Sequence, residues 1–112
     1  MSVEVRDNRD EARYEIRADG RLAGFAQYRL HDGRITFTHT EIDPEHAGAG
    51  LGSRLARAAL DDVRERALAV VPVCPFIAAF IKGHPEDFLD LVVPAMRARV
   101  MSDESVVEWR GE

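Results

Sequence analysis

The sequence predicts a mixed α/β (α+β) fold: one sheet that begins as an antiparallel meander and has helices packed on it. Three observations predict this. Alternating apolar and polar residues separated by Asp-Gly pairs run up to Ile42. A glycine-rich segment follows, HAGAGLG at 46–52. An amphipathic helix and a short apolar run come next. That order of elements builds a sheet covered by helices.

Residues 12–18 alternate Tyr14, Ile16 and Ala18 against Arg13, Glu15 and Arg17, which predicts a strand with one buried face. Asp19-Gly20 supplies a two-residue hairpin, whose central positions need positive φ. The next strand, about 21–30, sets Leu22, Gly24, Ala26, Tyr28 and Leu30 on one face. Asp32-Gly33 signals a second hairpin. The strand RITFTHTEI at 34–42 places Ile35, Phe37 and His39 on one face and Thr36, Thr38 and Thr40 on the other. Asp43-Pro44 ends it.

A helix is expected over about 51–67, because Leu51, Leu55, Ala59 and Val63 recur every four residues. LAVVPV at 68–73 suits an interior strand covered on both faces, with its pairing interrupted at Pro72, which has no donor. Pro75 suits the first turn of a helix through FIAAFIKG, and Gly83 ends it. His84-Pro85 opens a short helical piece containing Phe88, Leu89, Val92 and Val93. Residues 94–112 carry a weaker pattern, in which VVEW at 106–109 reads as an edge strand or a dimer contact.

The 112 residues fit one domain, with no repeat or linker to mark a boundary. The net charge of -5 gives no support to nonspecific nucleic-acid binding. No apolar run approaches the roughly 20 residues that span a bilayer. The charged start of the chain has no apolar signal region, so a cytoplasmic location and no membrane partner are expected. Cys74 is alone, which excludes an internal disulfide and a cysteine-based zinc cage. His39, His46 and Glu41 match no specific ligand spacing, and no metal is expected.

Three glycines and two alanines fill 46–52 just before a helix. The first amides of a helix have no internal partner, and the helix dipole adds partial positive charge there. An anion, most often a phosphate, fits such a place. No Lys-Ser/Thr pair follows the last glycine, so this is not a Walker loop, and its place after a meander does not suit a dinucleotide fold. Spacing alone leaves a phosphate site and a tight turn both open.

The stretch THTEIDPEHAGAGLGSRLARAALDDVRERALAVVPVCPFIAAFIKGHPEDFLDLV at 38–92 resembles the small, single-domain, GNAT-like acetyltransferase family. The resemblance rests on THTE, G-x-G-x-G, VPxCPF and HPE, with G-x-x-x-Y-R from Gly24 to Arg29 upstream, and covers about 10–93. It implies a GNAT fold that binds acetyl-CoA or CoA, with the pyrophosphate at the loop and helix start. By that resemblance Ala49, Gly50, Leu51, Gly52 and Ser53 present amides to the pyrophosphate, and Ile42 or its neighbours pair with the pantetheine. Arg54, Arg57, Lys82 and His84 are candidates for the outer phosphates. The wider superfamily usually has Arg or Gln where this chain has Ala47, which removes one side chain from the phosphate site but not the backbone cradle.

Cys74 falls where the second half of the cleft meets the next helix, near the reactive end of the cofactor in the family. A thiol at a helix N-terminus is a candidate to accept the acetyl group or to protonate the departing thiolate. A small buried packing residue is the other reading. His39 and Glu41, two residues apart on one strand, are candidate bases for an incoming amine. His39 could equally be an imidazole bonded in or near the core, Glu41 could bond loop amides, and Lys82 and His84 could cap carbonyls. The expected function is acetyl transfer from acetyl-CoA to an amine of unknown identity, by a monomer or homodimer. The alternatives are a noncatalytic CoA-binding module and, with less support, an interaction protein that has lost the ligand.

Overall fold

The structure, a computed structural model that describes residues 1–102, turns the expected three-strand meander into four strands. They are β1 (Val3–Asn8), β2 (Arg13–Ala18), β3 (Arg21–His31) and β4 (Arg34–Ile42). A 3₁₀ turn at Pro44–His46 and the glycine segment lead into α1 (Leu51–Glu65). Then come β5 (Ala69–Pro72), α2 (Pro75–Gly83), α3 (Pro85–Phe88), a second 3₁₀ turn at Leu89–Leu91 and α4 (Pro94–Met101). Strands follow chain order across the sheet, antiparallel through β4 and parallel between β4 and β5. The VVEW stretch at 106–109 lies outside the described residues. Among the described residues no helix is long and apolar enough to cross a membrane.

Both Asp-Gly hairpins form, with positive φ at Asp19, Gly20, Asp32 and Gly33. Two bulges then change which side chains face inward. Ile16 pairs with Gly24 and Arg17 with Leu22, so Ala23 is an extra residue. Ala23 is buried and Leu22 is exposed, which corrects the expected grouping of Leu22 with Gly24 and Ala26. Leu30, near the end of β3, is exposed as well. Gln27 pairs with His39 and Tyr28 with Phe37, so Thr38 is a second extra residue. Ile35 and Phe37 remain in the core, but His39 turns to the outer face, against expectation. One inserted residue reverses a strand's alternation from that point on.

The core lies on one side of the sheet. Tyr14, Ile16, Ala26, Tyr28, Ile35 and Phe37 meet Leu55, Ala59, Leu60 and Val63 of α1 and Ile77, Phe80 and Ile81 of α2. Each large apolar side chain buried there contributes about 1.5–3 kcal/mol. β5 stands at the sheet edge and not in its interior, with a single bridge from Val70 to Val92 on its far side. That bridge and the helices explain why an edge strand reads as continuously apolar. Pairing with β4 stops at Phe37 and Pro72, as the missing donor of Pro72 requires.

α1 stops two residues short of the expected 67 because Ala67 turns to φ 55. Leu68 N–H then bonds Val63 C=O at 3.1 Å and Ala67 N–H bonds Arg64 C=O at 3.0 Å, closing the helix in a left-handed cap. A polar cluster fixes α1 to the sheet. Tyr14 Oη donates to Asp62 Oδ2 at 2.6 Å and Tyr28 Oη to Asp7 Oδ1 at 2.5 Å. Arg66 Nη1 donates to Asp7 Oδ2 at 3.0 Å and to Tyr14 Oη at 3.3 Å. Burial, then the bond to Asp7, pushes the Tyr28 phenol up to about 12. Burial and the bond to Asp62 raise Tyr14 as well.

On the outer face, burial pushes the Glu15 carboxyl up. Hydrogen bonds from Arg13, Asn8 and Arg17 outweigh it and hold the group below the usual carboxylate range.

Two predictions come from these contacts. Tyr28 binds its proton more tightly folded than unfolded, so its contribution is complete below about pH 10 and lost as pH rises through about 12. Melting temperature should fall across that window, in step with tyrosinate absorbance, and Tyr28→Phe should flatten the fall. Gly24 is needed for a different reason. A Cβ there would stand 2.5 Å from the Glu41 carbonyl oxygen and 2.6 Å from Ile42 Cδ1. Gly24→Ala should lower stability in urea unfolding by about 1–3 kcal/mol.

Candidate active site

The parallel pair of β4 and β5 opens where it runs out of partners. Cys74 N–H reaches Phe37 C=O at 2.8 Å, and beyond that bond no backbone group of the described residues pairs with β4 on its β5 side. The bulge at Thr38 sets what faces the gap. Asp43 N–H bonds Ala23 C=O at 2.7 Å, which fixes the alternation of the ladder at the end of β4. The N–H and C=O groups of Thr40 and Ile42 therefore point away from β3, into the opening. A cavity of about 260 Å³ occupies the opening, lined by Thr40, Ile42, Ala47 and Phe76.

The loop that delivers α1 borders the same place through Ala47. Gly48 and Gly50 hold φ 81 and 76. A Cβ on either would meet nothing within 4 Å, so their need is for the backbone turn and not for space. Gly50 is the N-cap and offers no side chain to the amides behind it. The amides of residues 50–53 have no acceptor among the described residues, in line with the orphan donors of a helix start. Ala49 differs from the expectation: its N–H is taken by His46 C=O at 3.2 Å. Gly50, Leu51, Gly52 and Ser53 thus carry the unpaired donors of this helix start.

Cys74 is the N-cap of α2, with Pro75 at the first helical position, and is 2% exposed. Its Sγ lies 3.3 Å from Thr40 Oγ1, an arrangement in which either atom can donate. His39 and Glu41 stand on the other side of β4, with side chains 55% and 60% exposed and 3.6 Å between His39 Nε2 and Glu41 Oε2. The His39 ring meets Phe25 edge-on at 6.2 Å. The structure therefore joins Cys74 to Thr40 and His39 to Glu41, but on opposite faces of one strand.

The remaining candidates are spread wider. Arg54 is exposed at the start of α1. Arg57 bonds Asp87 at 3.3 Å and lies over the Phe88 ring at 5.1 Å. Lys82 donates to Ser102 C=O at 3.4 Å, and His84 stacks on Phe80 with Nδ1 2.9 Å from the Phe80 carbonyl. Both sit at the far end of α2, about 12 Å along the helix from Cys74.

Thr40 and Phe76 are absent from the candidates that the sequence supplies. Simple alternation puts Thr40 on the wrong face, and only the bulge turns it toward Cys74.

A sequence profile of the family described as GCN5-related N-acetyl-transferase matches residues 13–91. A streptothricin acetyltransferase of Streptomyces lavendulae is 45% identical over 53 residues, 46% of this chain and 28% of its own length. A mycothiol acetyltransferase of Clavibacter sepedonicus is 45% identical over 49 residues, 44% of this chain and 16% of its own. Protein NATD1 of Bos taurus is 37% identical over 51 residues, 46% of this chain and 45% of its own. The chain thus matches less than half the length of each of these relatives.

A GCN5-like protein of Staphylococcus aureus, solved by NMR, superposes with a TM-score of 0.60 at 25% identity, over 83% of this chain and 91% of that one. A ribosomal-protein-alanine N-acetyltransferase of Brucella melitensis shares the fold, with a TM-score of 0.51 at 19% identity over 88% of this chain and 68% of the other. With its meander, its parting strands, its glycine cradle and a family match over residues 13–91, this chain belongs to the GCN5-related N-acetyl-transferase family.

Proposed function

We propose that the protein binds acetyl-CoA and transfers the acetyl group to an amine, with Cys74 as the group that receives or protonates. The observation that carries this reading is the set of unpartnered amides at residues 50–53 beside the open edge of β4. They suit a pyrophosphate followed by a pantetheine chain. The backbone of Ile42 and Thr40 would pair with the pantetheine amides as a missing strand would. Ser53 would add its hydroxyl at the phosphates and Arg54, exposed at the start of α1, its charge at the outer ones; Lys82 and His84 would have to give up their contacts with the Ser102 and Phe80 carbonyls to do the same. Ala47 leaves the cradle to the backbone.

Acetyl-CoA supplies an activated carbonyl and a thiolate leaving group. Thr40 lines the cleft that would hold them, and Cys74 Sγ lies 3.3 Å from its hydroxyl. On the covalent route the Cys74 Sγ would bond the acetyl carbon as the coenzyme's C–S bond breaks, and the thiol proton of Cys74 would pass to the leaving coenzyme thiolate. The amine then attacks, and Cys74 regains its hydrogen as the amide forms. His39 and Glu41 face the open side of the sheet, where an arriving amine would lose its proton to one of them, directly or through water.

Two sets of measurements test this. CoA should raise the melting midpoint, since a ligand of the native state stabilises it. Ser53→Pro, which deletes an unpaired first-turn amide that the helix does not use, should weaken CoA binding by about tenfold; Ser53→Ala should cost less. Incubation with acetyl-CoA followed by intact mass should reveal an acetyl adduct that Cys74→Ser abolishes. An unchanged adduct in Cys74→Ser removes the covalent route. CoA binding with no adduct, and no amine consumed across a broad panel, leaves a binding module in place of the enzyme.

A further inference from the structure

β1 forms one edge of the sheet. Asp19 N–H bonds Ser2 C=O at 2.7 Å, one step beyond the pairing of Val3 with Ala18. Ladder alternation then turns the backbone groups of Glu4, Arg6 and Asn8 toward β2 and those of Val3, Val5 and Asp7 away from the sheet. No described residue pairs with that outward row. A row of free N–H and C=O groups is a template for another strand. β1 contains no proline and no bulge to blunt it.

The side chains of VEVRDN say which strand fits. Run antiparallel to itself about Val5, β1 sets Val5 against Val5, Val3 against Asp7 and Glu4 against Arg6 of a second copy. The outward-facing residues of both copies then fall into hydrogen-bonded pairs, giving about six backbone bonds. Glu4 and Arg6 face opposite charges twice. Moving the axis to Glu4 sets glutamate against glutamate, and moving it to Arg6 sets arginine against arginine. Like charges directly opposite are unfavourable, so charge selects the register centred on Val5. Glu4 and Arg6 pair with each other within the chain, but their side chains are 52% and 71% exposed, so exchanging partners requires little rearrangement.

We propose that β1 is a self-complementary contact through which two copies of this chain join into one continuous sheet. The axis lies at the far edge from β5 and the cleft, which leaves both sites open. This contact is independent of the proposed chemistry.

Sedimentation velocity from about 10 μM to about 1 mM tests it, a range suited to a small interface. The wild type should show a concentration-dependent monomer–dimer equilibrium. Glu4→Arg alone and Arg6→Glu alone should each weaken it by about tenfold or more. A one-to-one mixture of those two variants should recover the dimer, because each cross-strand charge pair is opposite again. Val5→Pro, which deletes the central outward donor but no bond to β2, should remove the dimer, whereas Val5→Ala, which loses the same packing of Val5 against the core but keeps the donor, should retain it. A wild type that stays monomeric throughout the range overturns the proposal. So does a dimer that persists in the single-charge variants, or one that the mixture fails to restore.

Discussion

The separation of β4 from β5 is the constraint on which the rest of the structure depends. Their pairing ends at Phe37 and Pro72, and Cys74 N–H takes the Phe37 carbonyl as the last bond between the two sides. Pro72 cannot donate, and Pro75 commits the chain to α2 immediately afterwards. On the facing strand the bulge at Thr38 turns Thr40 inward and His39 outward. A regular pair of strands would bond these backbone groups to each other. Here they border a cleft, and a ligand with amides of its own can satisfy them.

That opening has to be held at a fixed distance from the start of α1. The polar cluster of Tyr14, Tyr28, Asp7, Asp62 and Arg66 ties the C-terminal half of α1 to β1, β2 and β3. Arg64 adds a bidentate bond to Asp90 at 2.8 and 2.9 Å, joining α1 to the segment after α3. That bond, above all, holds the Asp90 carboxyl below its ordinary range. Leu51, Leu55 and Leu60 are fully buried beneath. The glycines of the loop thus sit on a helix that packing and ion pairs locate, so flexible backbone is confined to the turn itself.

Much of this was legible in the sequence, and the exceptions have physical causes. The Asp-Gly hairpins, the bounds of β4, the proline-led start of α2 and the glycine cradle are local signals, written in a few adjacent residues. β1 leaves no clear mark in the sequence, because VEVRDN mixes charge into its alternation. The two bulges leave no local mark; they arise from pairing with a neighbouring strand, so simple alternation puts Leu22, His39 and Thr40 on the wrong faces. β5 looked interior because helices and Val92 cover it, and composition reports cover, not position in a sheet. Ala67 ends α1 in a conformation that usually asks for glycine. The candidates of the site divided in the same way: backbone donors at 50–53 were legible, whereas the partnership of Thr40 with Cys74 depends on a bulge.

The central claim is that coenzyme is held by main-chain groups, at the open edge of β4 and at the start of α1. Amide hydrogen exchange resolved by residue, with and without CoA, tests it most directly. The account predicts slowed exchange at Thr40, Ile42 and residues 50–53 on adding CoA, with the amides of β1 unaffected. Saturating CoA that leaves those amides exchanging at their free rates would contradict it.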